Sequence, residues 1–466
     1  MRTATARRTN TPTTPAIFGS VLLLALLGEM ACGVPQTAAL DTDCSGKCEQ
    51  TVTWQPPVCG TPSAALSSDL PSICDHVAVE RDWSCAADLA EIPPVAFAPH
   101  LVGARCRVDL ATPVEQLACW LVQDDRLTFG SFKGKLSKKS RVPSVEIAYA
   151  KFEHPQERAA IVLVTGRTES YLKYAELIRD IVERNADLGY SLYILDHRGQ
   201  GFSTRLLPDE PQKGYVEDFD NYVADLDTFL RTVVHPERHR RVFALAHSLG
   251  GGITARYLQD YQPTTDAFDA AILTSPMLGI AAVDGKERNL VGRAVEGASL
   301  ALARGLVALG RGTWYLTDRD YDPDWGVWSC SAADGAPRRC DEGEGEGNSL
   351  THSLTRHEMH RWLRLYEPRI QLGGATARWL VESYAATQTM RDAGRSSGIE
   401  IPVLVLQAEL ESIVSNPDQR AVCAAMPNCR LEVVPRASHE PIFEVDEIRS
   451  LYLNRLVTFF EAHLDG

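Results

Sequence analysis

The chain has 466 residues, 44% hydrophobic and 23% charged, the balance of a globular protein with room for a sizeable core. Lys plus Arg number 47 and Asp plus Glu 61, a formal charge of −14 with no long basic block. These values argue against a nucleic-acid partner.

In chain order, the first feature is a basic start, Arg2, Arg7 and Arg8, followed by the apolar run Ala16 to Leu27. That run is about half of the roughly 20 residues a membrane-spanning helix needs. With small residues after it, the segment reads as a secretory signal over residues 1–32. It ends in EMAC, which resembles a lipoprotein processing site at Cys32, although Glu29 occupies a position where that pattern wants an apolar side chain. Ordinary cleavage after Ala31 is the alternative.

Twelve cysteines accord with export. Besides Cys32, seven lie between Cys44 and Cys119, two at Cys330 and Cys340, and two at Cys423 and Cys429. Irregular spacing without a C-x-x-C pair favours disulfides over zinc. If Cys32 carries lipid, eleven remain and one is unpaired. Residues 33–124, rich in Cys, Pro, Ser and Ala and lacking periodicity, read as a small disulfide-stapled region.

From about residue 125 the pattern changes. LTFGSFKGKL and VEIAYAKFEH alternate like the strands of an antiparallel hairpin. Short apolar runs then alternate with helical stretches: AAIVLVTG, a helix from about Tyr171, YSLYILDH, a helix from about Val216, RVFALAH, a helix from about Gly251, and DAAILTS. PVLVLQAE and CRLEVVP follow much later. Such alternation predicts an α/β fold, a mostly parallel sheet with helices on both faces. Between about residues 277 and 400 the alternation breaks down. This insert contains an Ala/Leu/Gly-rich helical stretch from Val295 to Leu309, an acidic loop from Asp341 to Gly347, and an amphipathic run near His357 to Tyr366. Placed over the carboxyl ends of the strands, it is a candidate lid.

AHSLGG, Ala246 to Gly251, joins one apolar run to a helical stretch. Acyl transfer by serine requires a base, a carboxylate to orient the base, and backbone N–H donors for the oxyanion. A strand-to-helix elbow exposes the serine and demands small residues two before and two after it, here Ala246 and Gly250. Ser248 is the candidate nucleophile. His439, just beyond the last apolar run, is the candidate base, and Glu409 and Glu411 both follow PVLVLQ, where the acid belongs. His357 and His360 in RHEMH read as residues of a surface helix, without the HExxH spacing of a metal pair.

Several separated motifs carry a more specific resemblance. TGRTESYLKYAEL (Thr165 to Leu177), DHRGQGFS (Asp196 to Ser203), AHSLGGG, LTSPMLGI (Leu273 to Ile280), THSLTRHEMHRWLRLYEP (Thr351 to Pro368) and LQAELES followed by ASHEPIFE are similar to the bacterial lysophospholipase L2 branch of the monoacylglycerol lipase-like α/β-hydrolases. The similarity spans about residues 125–466. It implies that Ser248 is the nucleophile, His439 the base and Glu411 the acid. The oxyanion donors would be the backbone N–H groups of Leu249 and of Arg167, which follows Gly166. Asp196, His197 and Arg198 would be structural, tying the loop that supports the site. Ser415 departs from the pattern, standing where relatives often carry aspartate, and the Cys330 to Cys340 loop looks like an insertion.

The resemblance implies a serine esterase that cleaves the acyl ester of a single-chain lipid, lysophospholipid before monoacylglycerol, with no metal or organic cofactor; the signal segment and the cysteines point to an exported protein, in the cell envelope or secreted. Membrane association would come through a lipidated Cys32 or the lid. An acyltransferase using the same acyl-enzyme is an alternative, as is a non-catalytic envelope binding protein on a hydrolase fold.

Overall fold

The computed structural model describes residues 126–466 except 185, 282–289, 317–318, 323–328, 332–336, 340–347 and 466. The signal segment, Cys32, the Cys-rich region and the acidic loop lie outside the described residues.

The described residues form ten strands: β1 Leu127–Lys133, β2 Glu146–Phe152, β3 Ala159–Val164, β4 Tyr190–Leu195, β5 Val242–His247, β6 Ala270–Thr274, β7 Ser329–Ser331, β8 Pro337–Arg339, β9 Val403–Ala408 and β10 Cys429–Val434. All but β7 and β8, which pair with each other, form one sheet in the order β1-β2-β4-β3-β5-β6-β9-β10. β1 and β2 are antiparallel, as expected, and β2 meets β4 antiparallel; the other pairings in this sheet are parallel. The composition of each strand explains its place. β3 (AAIVLV), β4 (YSLYIL), β5 (VFALAH), β6 (AAILT) and β9 (VLVLQA) are buried at every residue, the signature of strands covered on both faces. The outermost strands β1 and β10 mix buried and exposed positions.

The helices that surround the sheet and the site are α1 Ala175–Arg179, α2 Asp220–Phe229, α3 Leu249–Asp260, α4 Leu290–Ala308, α5 Leu354–Tyr366, α6 Ala377–Met390, α7 Asn416–Ala425 and α8 Asp446–Glu461. Residues of α1 and α8 cover one sheet face with Ile161 and Leu163; residues of α2, α3, α6 and α7 cover the other with Ala160, Val162 and Val164. Adjacent β3 residues therefore feed opposite cores, as strand geometry requires.

Helices α4, α5 and α6 and the β7–β8 ribbon all fall between β6 and β9, in the interval expected to hold an insert. Helix α5 corrects one expectation: His357, Met359, His360 and Leu363 are buried, so this is no surface helix. Its polar residues are tolerated inside because they are matched. Arg356 donates to Glu176 at 2.8 and 2.9 Å, to Asp446 at 2.6 Å and to the Glu444 carbonyl at 2.6 Å. Burial of a cation on these terms costs far less than burial alone.

Candidate active site

Ser248 occupies the single residue between β5 and α3, with φ 51° and ψ −115°. A left-handed, non-glycine residue here is strained by about 1–3 kcal/mol and persists only where its surroundings dictate it. The glycines after it do so. A Cβ on Gly250 would come within 2.1 Å of the Val164 carbonyl oxygen, and one on Gly251 within 2.6 Å of Pro276. The Ser248 N–H donates to the Thr274 carbonyl at 3.0 Å, and the Ser248 carbonyl accepts from the Met277 N–H at 2.8 Å. The elbow is thus clamped between the loops that follow β3 and β6.

His439 lies in the turn after β10, its Nε2 2.9 Å from Ser248 Oγ. On its other side Nδ1 lies 2.8 and 2.9 Å from the two Glu411 carboxylate oxygens. Glu411 has no exposed surface and also accepts the backbone N–H groups of Ser412, Ile413 and Val414. Burial pushes its carboxyl up, but the His439 interaction and those N–H donors outweigh it and hold the group below the usual carboxylate range. The neighbouring candidate, Glu409, is exposed and accepts instead from the Arg436 N–H at 2.7 Å. Of the two, only Glu411 reaches the imidazole.

Leu249 is the first residue of α3, where a helix presents N–H groups without intrahelical acceptors and a partial positive charge. Arg167 follows Gly166 in the loop after β3; its side chain donates to the Gly373 carbonyl at 2.7 Å and lies over the Trp379 ring.

The supporting residues behave as braces. Asp196 accepts the Tyr171 and Phe202 N–H groups at 2.7 and 2.8 Å, and burial pushes its carboxyl up to about 7. His197 Nε2 donates to the Thr165 carbonyl at 2.8 Å, and burial pushes this imidazole down to about 4, so it stays neutral. Arg198 forks onto Asp225 with two bonds of 2.7 Å. Ser415 caps α7, its hydroxyl accepting the Asp418 N–H at 3.3 Å. Serine and aspartate both serve in that duty.

Sequence reasoning missed a buried charge network beside His439. Glu169 accepts from the Gly166 N–H, from Tyr174 at 2.6 Å and from Lys173 at 2.8 Å. Lys173 also reaches Glu440, the residue after His439, at 2.6 Å. His247, the residue before Ser248, lies 3.2 Å from Glu169 through Nδ1 and 3.2 Å from the His439 carbonyl through Nε2. Both partners are acceptors, so both ring nitrogens donate and the ring is an imidazolium. Burial pushes its pKa down, but Glu169 more than reverses this and raises it. Glu169 in turn is held well below the usual range, burial being outweighed by Lys173 and His247. The i, i+4 spacing of Glu169 and Lys173 was the one local signal available.

The segment between β6 and β9 completes the surroundings of His439. The His439 and Glu440 N–H groups donate to the Ser349 and Leu350 carbonyls at 3.3 and 2.8 Å. Glu444 joins the two segments, accepting from Ser438 N–H at 2.8 Å and pairing with His352 at 2.8 Å.

A doubly covered, mostly parallel sheet with a serine elbow after β5, a carboxylate after β9 and a histidine after β10 defines an α/β-hydrolase. A family model described as "Serine aminopeptidase, S33" matches residues 155–446. Lysophospholipase L2 of Escherichia coli (strain K12) is 34% identical over 334 residues, covering 69% of this chain and 86% of that protein. A probable lysophospholipase L2 of Haemophilus influenzae is 31% identical over 321 residues, covering 68% and 90%. The chain belongs to this hydrolase family, within its lysophospholipase L2 group, and is a carboxylic-ester hydrolase. A carboxyl esterase from Bacillus coagulans, solved in complex with glycerol, shares the fold: TM-score 0.52 at 14% identity, over 72% of this chain and 99% of that one.

Proposed function

We propose that the protein hydrolyses the acyl ester of single-chain lipids, lysophospholipid first and monoacylglycerol second, with Ser248 as nucleophile, His439 as general base and Glu411 as its orienting acid. The observation that carries this reading is the continuous chain from Ser248 Oγ through the His439 ring to a fully buried Glu411 carboxylate. His439 Nε2 takes the hydroxyl proton as Oγ attacks the ester carbonyl. The Leu249 and Arg167 N–H groups stabilise the tetrahedral oxyanion. Collapse breaks the ester C–O bond, and His439 returns the proton to the departing glycerol-containing alcohol. A water activated by the same histidine then releases the fatty acid and restores Ser248. The lipid preference rests on the relatives named lysophospholipase L2, one of them covering 86% of its own length with this chain.

The protein works outside the cytoplasm in this reading. The basic start and the apolar run after it support export, as does the Cys423–Cys429 disulfide, whose Cα atoms lie 5.3 Å apart. The insert between β6 and β9 serves as the lid.

The test is fatty acid release from matched lysophosphatidylcholine, lysophosphatidylethanolamine, monoacylglycerol and short acyl esters. Wild-type protein turns over lysophospholipids fastest, and Ser248→Ala loses about a thousandfold or more of that rate. Ordinary activity in Ser248→Ala, or acyl transfer to an added alcohol in preference to water, defeats this reading.

A further inference from the structure

A cleft with a volume of about 700 Å³ lies between the β1–β2 hairpin, the loop after β4 and the segment after α5. None of Ser248, His439 or Glu411 lines it. Its apolar wall comes from Phe129, Tyr149, Tyr171 and Phe202, with the Tyr171 and Phe202 rings stacked at 5.0 Å. Two guanidinium groups share it, Arg205 and Arg369. Arg369 pairs with Glu367 at 2.8 Å and lies over the Phe202 ring at 5.1 Å.

Arg205 is the unusual member. Its acceptors are the backbone carbonyls of Gly199 at 2.9 Å, Gly201 at 3.4 Å, Gln371 at 3.1 Å and Arg369. Among the described residues no carboxylate lies within ion-pair distance of it, and the oxygens of the nearby Asp196 are occupied by Tyr171 and Phe202 N–H groups. Burial pushes Arg205 down to about 10 against the opposing pull of Asp196, so it remains a cation at neutral pH. Arg205 thus brings to the wall of an aromatic cleft a positive charge that only neutral carbonyls meet. The one carboxylate in the lining, Glu146, accepts from the Ser131 hydroxyl at 3.3 Å.

We propose that this cleft binds the reaction's fatty acid product, Arg205 and Arg369 receiving the carboxylate and Phe129, Tyr171 and Phe202 the chain. The proposal rests on the ester hydrolase reading, which supplies that carboxylate. The cleft has the size of ordinary small-molecule sites and combines an apolar lining with convergent polar groups. It also connects to the catalytic loops: Arg205 grips Gly199 and Gly201, and Gln200 between them donates to the Gly166 carbonyl at 2.7 Å.

The test separates the two sites. A long-chain alkyl phosphonate is reacted with the enzyme, and its attachment to Ser248 is verified by mass. Decanoate is then titrated into the blocked protein by calorimetry. One decanoate binds per chain, at least tenfold more tightly than decanol. Ser131→Trp, which fills the cleft from an exposed position on β1, weakens it at least tenfold, as does Arg205→Met. Because Arg205 also staples two loops, Ser131→Trp is the decisive variant. No decanoate binding to blocked protein, equal binding of decanol, unchanged affinity in Ser131→Trp, or tighter binding of dodecylphosphocholine than of decanoate overturns the proposal. Failure of the phosphonate to label Ser248 faults the nucleophile reading instead.

Discussion

Ser248 and His439 meet at 2.9 Å, yet they are held by different physics. Ser248 is positioned by sterics and backbone: a left-handed φ, glycines that admit neighbouring carbonyls, and hydrogen bonds to Thr274 and Met277. These determinants carry no formal charge. His439 is positioned by carboxylates and their partners: Glu411 on its ring, His247 on its carbonyl, and the Lys173–Glu440 pair beside it. One side of the site is therefore set by shape, which pH and salt scarcely alter, and the other by ionisation, which they do.

The largest expected effect sharpens the charged side. Glu411→Gln keeps the volume and removes the carboxylate, and kcat should fall by about 10³ to 10⁴ with little change in KM. Steady-state kinetics on folded protein check this; a loss below tenfold would mean that the carboxylate is dispensable to His439. Gly250→Ala breaks the steric side. Its added methyl would sit 2.1 Å from the Val164 carbonyl, and the protein should lose about 3 kcal/mol or more of stability in a denaturant titration. An unchanged midpoint would show that the elbow relaxes freely.

The smallest effect is in pH. The folded-state pKa of His247 is raised above its unfolded value, so its ion pair with Glu169 contributes stability that is full below the unfolded pKa and is lost as pH rises through the folded one. Glu169 is depressed, so its contribution is present above its unfolded pKa and disappears only in strong acid. Wild-type melting temperature should fall on the alkaline side relative to His247→Gln, and a constant difference between the two across that range would remove the imidazolium from the account.

This division also explains what could be read from the sequence. The elbow was legible because its steric demands fall on consecutive residues, Ala246 to Gly251. The alternation of apolar runs was legible because the central strands are buried on both faces. His439 followed from its place after the last strand. The choice between Glu409 and Glu411 was not open to spacing alone, since both follow β9; a backbone N–H from Arg436, 27 residues downstream, claims the first. The charge network was hidden for the same reason: 78 residues separate Glu169 from His247, and 267 separate Lys173 from Glu440. Helix α5 misled because polar residues in a charged run suggest solvent, whereas Arg356 finds Glu176 and Asp446 across the fold.

The backbone bonds from His439 and Glu440 to Ser349 and Leu350 bear on how the molecule is assembled. A cover that only gated access could be removed and leave the chemistry behind it intact. Here the later half of the insert is joined to the base's own main chain, so it acts as an internal subunit of the catalytic apparatus. The position of His439 therefore depends on the segment that begins at Ser349. Replacing the insert from Ser349 onward with a foreign segment would misalign the histidine.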